Sequence, residues 1–264
     1  MPNCIRAFCA GVVLIAAGGA LPTVAAAQTG CAVRSMPPTL ATAWPARAAE
    51  MKRLAEWRNA YGGTPWRMQP WGIEVCGRYQ PNVFKRPRPI MIEKIWRDYA
   101  AQIADAAQKH AVPVELVVTI ILEESGGNPV LFKLEPGYVS DSRTPHRIAI
   151  GLGGMLLSTA RIMAGNPGVS RQWVQNPNNA IDLIGVYLTR QYKETGFDPP
   201  KVAAAYNAGG LYADPSPGNP WKLRNYPLGK SVFIDNFVAT FNNSMRFFAN
   251  RADRPAQSFN AVMR

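Results

Sequence analysis

Histidine is almost absent from this 264-residue chain, with His110 and His146 the only two. Cysteine is nearly as scarce: Cys4, Cys9, Cys31 and Cys76. Without a dense His/Cys cluster the chain lacks the usual donor set of a transition-metal enzyme, and a Ser-His-Asp or Cys-His arrangement would have to be drawn from very few candidates. Acidic residues are also few, 17 Asp and Glu against 29 Lys and Arg. Such an excess of positive charge either directs a protein toward polyanions or serves its solubility alone. Nor is there a long unbroken apolar run. The best candidate begins at Ala7 and is interrupted by Gly18, Gly19 and Pro22, well short of the roughly 20 apolar residues that a membrane span requires.

That run reads instead as the centre of a secretory signal over residues 1–27, preceded by Arg6 and followed by Ala25, Ala26 and Ala27 as a small-residue cleavage site. A mature chain starting at Gln28 is therefore expected in the periplasm or outside the cell, with no stable membrane insertion. Lipid anchoring is not expected, because Gln28-Thr29-Gly30 precede Cys31 without the apolar residue that such an anchor needs. Taking Arg6 away from the 29 basic residues leaves 28 against 17 acidic, a formal charge of +11. Export and the lack of a nucleic-acid motif argue against nucleic acid as the partner. An acidic cell-wall polymer fits that compartment better. Loss of the signal also removes Cys4 and Cys9, and an exported pair, Cys31 and Cys76, points to a disulfide before a metal site.

Residues 28–90 form an N-terminal extension rich in Trp and Pro, with one helix expected over 46–61 and a loop around 66–81. Trp44, Trp57, Trp66 and Trp71 either build its core, the commoner use of Trp in a short segment, or present a sugar-stacking surface. From residue 91 the pattern is all-α. Helices are expected over 93–110, from Pro113 to Glu124, and over 154–164, 180–194, 201–208 and 231–251, the last with an apolar stripe of Phe233, Phe237, Phe241 and Phe248. Loops are expected over 128–147 and 209–229. The helical domain spans 91–252, and residues 253–264 are expected to form a mobile tail.

Glu124 stands out in the helix before Ser125-Gly126-Gly127. Its neighbours three, four, seven and eight positions back are Ile121, Ile120, Val117 and Leu116, so its face should point into a core. Glu123 has Thr119 and Glu115 among the corresponding neighbours, which suits an edge or solvent. A carboxyl group on an apolar face, near the negative end of a helix dipole, is destabilised when ionised. That environment makes a general acid. The alternative is a helix-end residue that turns out to water.

Two further motifs bear on the choice. Gly151-Leu152-Gly153-Gly154-Met155 follows Ile148 to Ile150, and Ala205-Tyr206-Asn207-Ala208-Gly209 ends a helix. The first is a poor dinucleotide loop, since Leu156 replaces the third glycine and only three apolar residues precede it. In this order, Glu124-Ser125 with Asn128-Pro129, Gly151-Leu152 with the run Leu156 to Arg161, and Ala205 to Gly209 resemble the SLT-type lytic transglycosylase domain of the lysozyme-like superfamily. The resemblance covers residues 95–248. Residues 144–161 also resemble muramidase-like proteins of phages and secretion systems, which adds assembly with such an apparatus to the expected partners.

The resemblance implies a lysozyme-like helical domain that binds the glycan strands of peptidoglycan and cleaves them between N-acetylmuramic acid and N-acetylglucosamine, leaving a 1,6-anhydro end, with no cofactor and no metal. Glu124 would be the single acid and base. Ser125, Gly151, Tyr206 and Asn207 would order the site or contact substrate, with the Tyr206 hydroxyl close to Glu124; helix-capping is the alternative role for Ser125 and Asn207. A hydrolytic muramidase and a peptidoglycan-binding or assembly protein remain as rival readings. The family's usual Gly-Leu-Met-Gln is here Gly151-Leu152-Gly153-Gly154, so a sugar-contacting side chain is missing at Gly154. If the backbone matches the family there, Gly154→Gln should raise activity on short chitooligosaccharides.

The exported pair leads to a direct test. Cys31 and Cys76 should be oxidised to one disulfide in protein purified from an oxidising compartment, contributing roughly 3–4 kcal/mol for a loop of this size. Thiol labelling under denaturing conditions checks this, and two reactive thiols in the mature chain would overturn it.

Overall fold

The computed structural model of the chain describes residues 40–76, 89–227 and 231–263. Trp44–Met51 forms α1, between single 3-10 turns at Leu40–Ala43 and Lys52–Ala55. The helix expected over 46–61 stops early because Arg58 enters an extended segment, where its backbone exchanges hydrogen bonds with Trp66 at 3.0 and 2.7 Å. The loop expected after it contains a hairpin. β1 (Trp66–Gln69) pairs antiparallel with β2 (Gly72–Val75), Arg67 opposite Glu74. Gly72 is required at its turn: φ is 130°, and a Cβ would lie 2.1 Å from Asn242 Oδ1.

The helical part begins with α2 (Pro89–His110), kinked at Tyr99, and α3 (Val114–Ser125). A three-stranded sheet follows, in the order β3 (Phe132–Leu134), β4 (Ile148–Ile150), β5 (Met155–Leu156). These strands are too short for an alternation to stand out in the sequence: β3 falls in the loop expected over 128–147, and β5 takes the start of the helix expected over 154–164. The chain continues through α4 (Leu157–Ala164), α5 (Arg171–Gln175), α6 (Pro177–Thr195), α7 (Pro199–Ala208), α8 (Val232–Ala249) and α9 (Phe259–Val262). Among the described residues no helix is long and apolar enough to cross a membrane.

Helix α3 is the centre of the core. Every residue from Val114 to Ile121 is fully buried, and the helix packs against α2, α6 and α8. Each apolar side chain sealed in this way contributes about 1.5–3 kcal/mol. The expected phenylalanine stripe of α8 is only partly realised: Phe237, Phe241 and Phe248 are buried, while Phe233 packs at the margin. Gly185 of α6 sits where a Cβ would meet His110 Cδ2 at 2.4 Å. His110 Nε2 is 2.6 Å from Asp182 Oδ1, which joins α2 to α6.

Met51, Leu54, Trp66, Met68 and Ile73 of the N-terminal segment belong to the same core as the helices. Asp198, at the start of α7, accepts hydrogen bonds from Arg58 Nε and Nη2, both at 2.7 Å, and from Trp66 Nε1 at 2.9 Å. The four tryptophans divide. Trp66 is in the core, edge-on to Trp221; Trp44 packs at its margin; Trp57 and Trp71 are exposed. Cys76 is exposed, while Cys31 and residues 1–27 lie outside the described residues.

The C-terminal segment, expected to be a mobile tail over 253–264, is instead docked as far as Met263. Phe259 is fully buried against Phe241, and Gln257 O accepts the first backbone N–H of α3, from Val114, at 2.9 Å. The anchor is Glu115, also fully buried. Its carboxylate accepts from the Ser258 hydroxyl, from Phe259 N at 3.0 Å, and from Asn260 N and Nδ2 at 3.3 and 3.2 Å. Periodicity gave no sign of this because the partner of the tail is a polar residue inside an apolar helix. Burial raises the Glu115 pKa, and these hydrogen bonds oppose the shift.

Glu115→Ala should cost about 2–4 kcal/mol in urea unfolding, since it strands several buried donors at once. A change within about 0.5 kcal/mol, typical of an exposed site, would mean a loose tail. The raised pKa also fixes a sign. In the wild type, Glu115 binds its proton more tightly folded than unfolded, so its contribution is full below the ordinary carboxylate range and is lost as pH rises through the folded value. Glu115→Gln should lack that loss, which unfolding of both proteins at pH 4 and pH 7 would show.

Candidate active site

The end of α3 is built by its own turn. Gly126 caps the helix in the left-handed conformation, φ 62°, and donates to Leu122 O. Ser125 Oγ donates to Ile121 O at 3.0 Å and accepts from Gly127 N at 3.2 Å, so its hydroxyl closes the helix end. Tyr99, at the kink of α2, donates to Gly127 O at 3.2 Å. Glu124 is held half-buried by this turn. Glu123 is also half-buried, and accepts from Thr240 Oγ1 of α8 at 2.6 Å. About 100° separates neighbours on a helix, so the two carboxylates address different surroundings.

Gly151 to Gly154 approach Glu124 from the sheet. Gly151 has φ 71°, donates to Leu131 O at 2.8 Å and accepts from Gly154 N at 3.1 Å. A Cβ on Gly151 would lie 2.8 Å from Val174 O. Gly151 therefore shapes the loop with both of its backbone groups engaged. Gly154 has φ 55°, and a Cβ there would be 2.6 Å from Glu124 Oε2 and 3.0 Å from Glu124 Cβ. The backbone of Gly154 thus occupies the space directly against the carboxyl group. A glutamine at this position would have to hold the left-handed backbone and push the Glu124 carboxyl aside, both of which oppose the gain expected from Gly154→Gln.

Tyr206, near the end of α7, completes the group. Its hydroxyl donates to Gly153 O at 2.7 Å, and a Cβ on Gly153 would lie 2.9 Å from that hydroxyl. The phenol pKa is raised well above its ordinary value, chiefly by burial of the hydroxyl, then by the charges of Glu124 and Tyr187. Tyr206 accordingly stays a neutral donor beside Glu124 across the physiological range. Tyr187 of α6 meets the Tyr206 ring edge-on at 5.0 Å. Asn207 Oδ1 accepts from Tyr226 N, which ties the end of α7 to the loop that follows.

Glu124, Gly153, Gly154 and Tyr206 thus converge, Gly151 shapes their loop, and Ser125 and Asn207 hold the two helix ends that carry them. Sequence reasoning missed Tyr187 and Tyr99, which are single aromatics in helices with nothing local to mark them. The closeness of the left-handed Gly154 to Glu124 was likewise not marked by any residue pattern. Chemically, the cluster offers one carboxyl group in a partly desolvated position and one neutral hydroxyl held at a fixed carbonyl, an arrangement suited to moving a proton to and from a single point.

No curated protein matches the chain. Residues 101–214 match the family described as the transglycosylase SLT domain. That span runs from the middle of α2 past α7 and contains Glu124, the glycine loop and Tyr206, while α8, the docked tail and the N-terminal hairpin lie outside it. Residues 101–214 therefore carry a transglycosylase SLT domain, a match consistent with the lysozyme-like superfamily.

Proposed function

We propose that this protein is a peptidoglycan lytic transglycosylase, cleaving between N-acetylmuramic acid and N-acetylglucosamine with Glu124 as the only acid and base. The observation that carries this reading is the half-buried Glu124 carboxyl packed against the Gly154 backbone, beside the neutral Tyr206 hydroxyl, within an SLT domain. Protonated Glu124 gives its proton to the glycosidic oxygen as the bond to C1 breaks. The carboxylate then takes the proton of the muramic acid C6 hydroxyl as that oxygen attacks C1, closing the 1,6-anhydro ring. No water is consumed. The substrate's own acetamido group stabilises the cationic carbon, the role that a second carboxylate plays in most glycosidases. Tyr206 holds the Gly153 carbonyl, and with it the loop facing Glu124. The reading includes export by residues 1–27 to the periplasm or cell surface, where a charge of +11 on the mature chain favours an acidic wall polymer.

Digestion of purified sacculi with mass spectrometry of the fragments tests the reaction. Anhydro-muropeptides are expected; fragments heavier by one water would make the protein a hydrolytic muramidase, and retention on sacculi without fragments would make it a binding or assembly protein. Glu124→Gln should lower cleavage by about 10²–10⁴-fold with sacculus binding retained. Glu123→Gln should keep most activity, and an equal loss there would refute the assignment to Glu124.

The Gly154 contact gives a separate expectation. Gly154→Ala and Gly154→Gln should both lower activity on sacculi and on chitooligosaccharides, because a side chain there needs a left-handed backbone, costing about 1–2 kcal/mol, and displaces Glu124 as well. Equal or higher activity in Gly154→Gln on the short substrate would show that the loop stands away from Glu124.

A further inference from the structure

The N-terminal hairpin carries a surface that this reaction does not use. Along β1, Trp66 and Met68 enter the core while Arg67 and Gln69 point away from it. Arg67 Nε donates to Glu74 Oε2 at 2.8 Å, and Gln69 Nε2 donates to the same oxygen at 3.0 Å. A guanidinium, a carboxylate and an amide are thereby joined in one polar row across the hairpin. The backbone bridge between Arg58 and Trp66 brings Trp57 beside Arg67, whose guanidinium lies 4.5 Å from the centre of the indole ring. One indole face is covered by a planar cation. Trp57 is still 44% exposed, and Trp71, in the turn between the strands, is 43% exposed.

A half-exposed indole held from one side by a planar cation matches the chemistry of a sugar ring. The C–H face of a pyranose is apolar and stacks on an indole, while its hydroxyl and acetamido groups exchange hydrogen bonds with amide, carboxylate and guanidinium groups. The Arg67–Glu74 pair brings little net charge to this face, so it suits a neutral saccharide better than a phosphate or an acidic peptide. The hairpin is also fixed relative to the catalytic helix. Asn242 of α8 accepts from Ile73 N at 2.7 Å and donates to Ile73 O at 3.2 Å. Two residues earlier in α8, Thr240 holds Glu123, the neighbour of Glu124.

We propose that Trp57, fixed on one face by Arg67 and its partner Glu74, forms an accessory saccharide site, whose opposite indole face binds an N-acetylated sugar of the glycan strand away from the bond being cleaved. The identity of that glycan rests on the peptidoglycan reading above. Trp57 stacks on the ring, and Arg67, held in turn by Glu74, positions the indole. The site raises the time a polymeric strand stays on the enzyme without touching the chemistry at Glu124.

The test compares the intact mature chain with Trp57→Ala, Trp57→Phe and Arg67→Ala, measuring co-sedimentation with purified sacculi and release of soluble muropeptides. Loss of one aromatic stacking partner should weaken sacculus binding by about 3- to 10-fold. Trp57→Phe should restore part of it. Release should slow at low sacculus concentration and match the parent at saturation, a split that a merely damaged fold would not give. Should Trp57→Ala fail to fold, Arg67→Ala carries the same comparison. Parent-like binding in the folded Trp57 variant overturns the accessory site, leaving the face to a protein neighbour, while fragment release by the parent keeps the catalytic reading. Trp57-dependent binding without fragments from the parent keeps the accessory site and removes the catalytic reading. A parent that neither binds sacculi nor releases fragments removes both.

Discussion

Burial of α3 from Val114 to Leu122 is the constraint on which the rest of the structure depends. A stretch sealed on all sides needs neighbours on all sides, and α2, α6 and α8 supply them. Its only carboxylates stand near its two ends. Glu115 lies in the first turn, where the positive end of the helix dipole favours negative charge, and it also gathers the N–H groups at the start of α9. Glu123 and Glu124 lie in the last turn. One helix thus places a carboxylate where it can organise the C-terminal segment, and another against the glycine loop. Both placements depend on the apolar stretch between them being rigid.

The other arm of the site is fixed from the N-terminal side. Asp198 precedes the first turn of α7 and is held by Arg58 and Trp66, so the segment before α2 determines where α7 begins. Tyr206 and Asn207 stand at the other end of the same helix. A two-point bond between Arg58 and a buried carboxylate has little freedom to shift, and the remainder of α7 transmits that fixed start to the Tyr206 hydroxyl. The hairpin belongs to the framework of the site for this reason, although it lies outside residues 101–214 that match the family.

The long helices and the special place of Glu124 were legible because they rest on period and composition, which act through local geometry. Where reading failed, the cause was a long-range partner. The helix after Trp44 ends early because Arg58 pairs with Trp66, and no nearby residue announces that. The tail is docked because Glu115 reaches it from far along the chain. A polar residue at an apolar position carries information that period does not: Glu115 marks a buried partner. Tyr206 was legible only through its motif, and Tyr187 not at all, since an aromatic in an amphipathic helix looks the same whether it packs in the core or lines a cleft.

The glycine loop shows why a missing side chain need not mean a missing interaction. Gly154 has a left-handed backbone and carries no Cβ, and both features are needed to bring the chain against Glu124. Glycine here costs conformational entropy on folding, about 0.5–1 kcal/mol relative to alanine. The loop offsets that with bonds from Gly151 to Leu131 and from Tyr206 to Gly153. With the backbone so close, Glu124 is shielded from water on that side by peptide groups rather than by a flexible side chain. Peptide dipoles fixed by such bonds reorganise little, so at Gly154 the wall beside Glu124 is rigid backbone in place of a side chain.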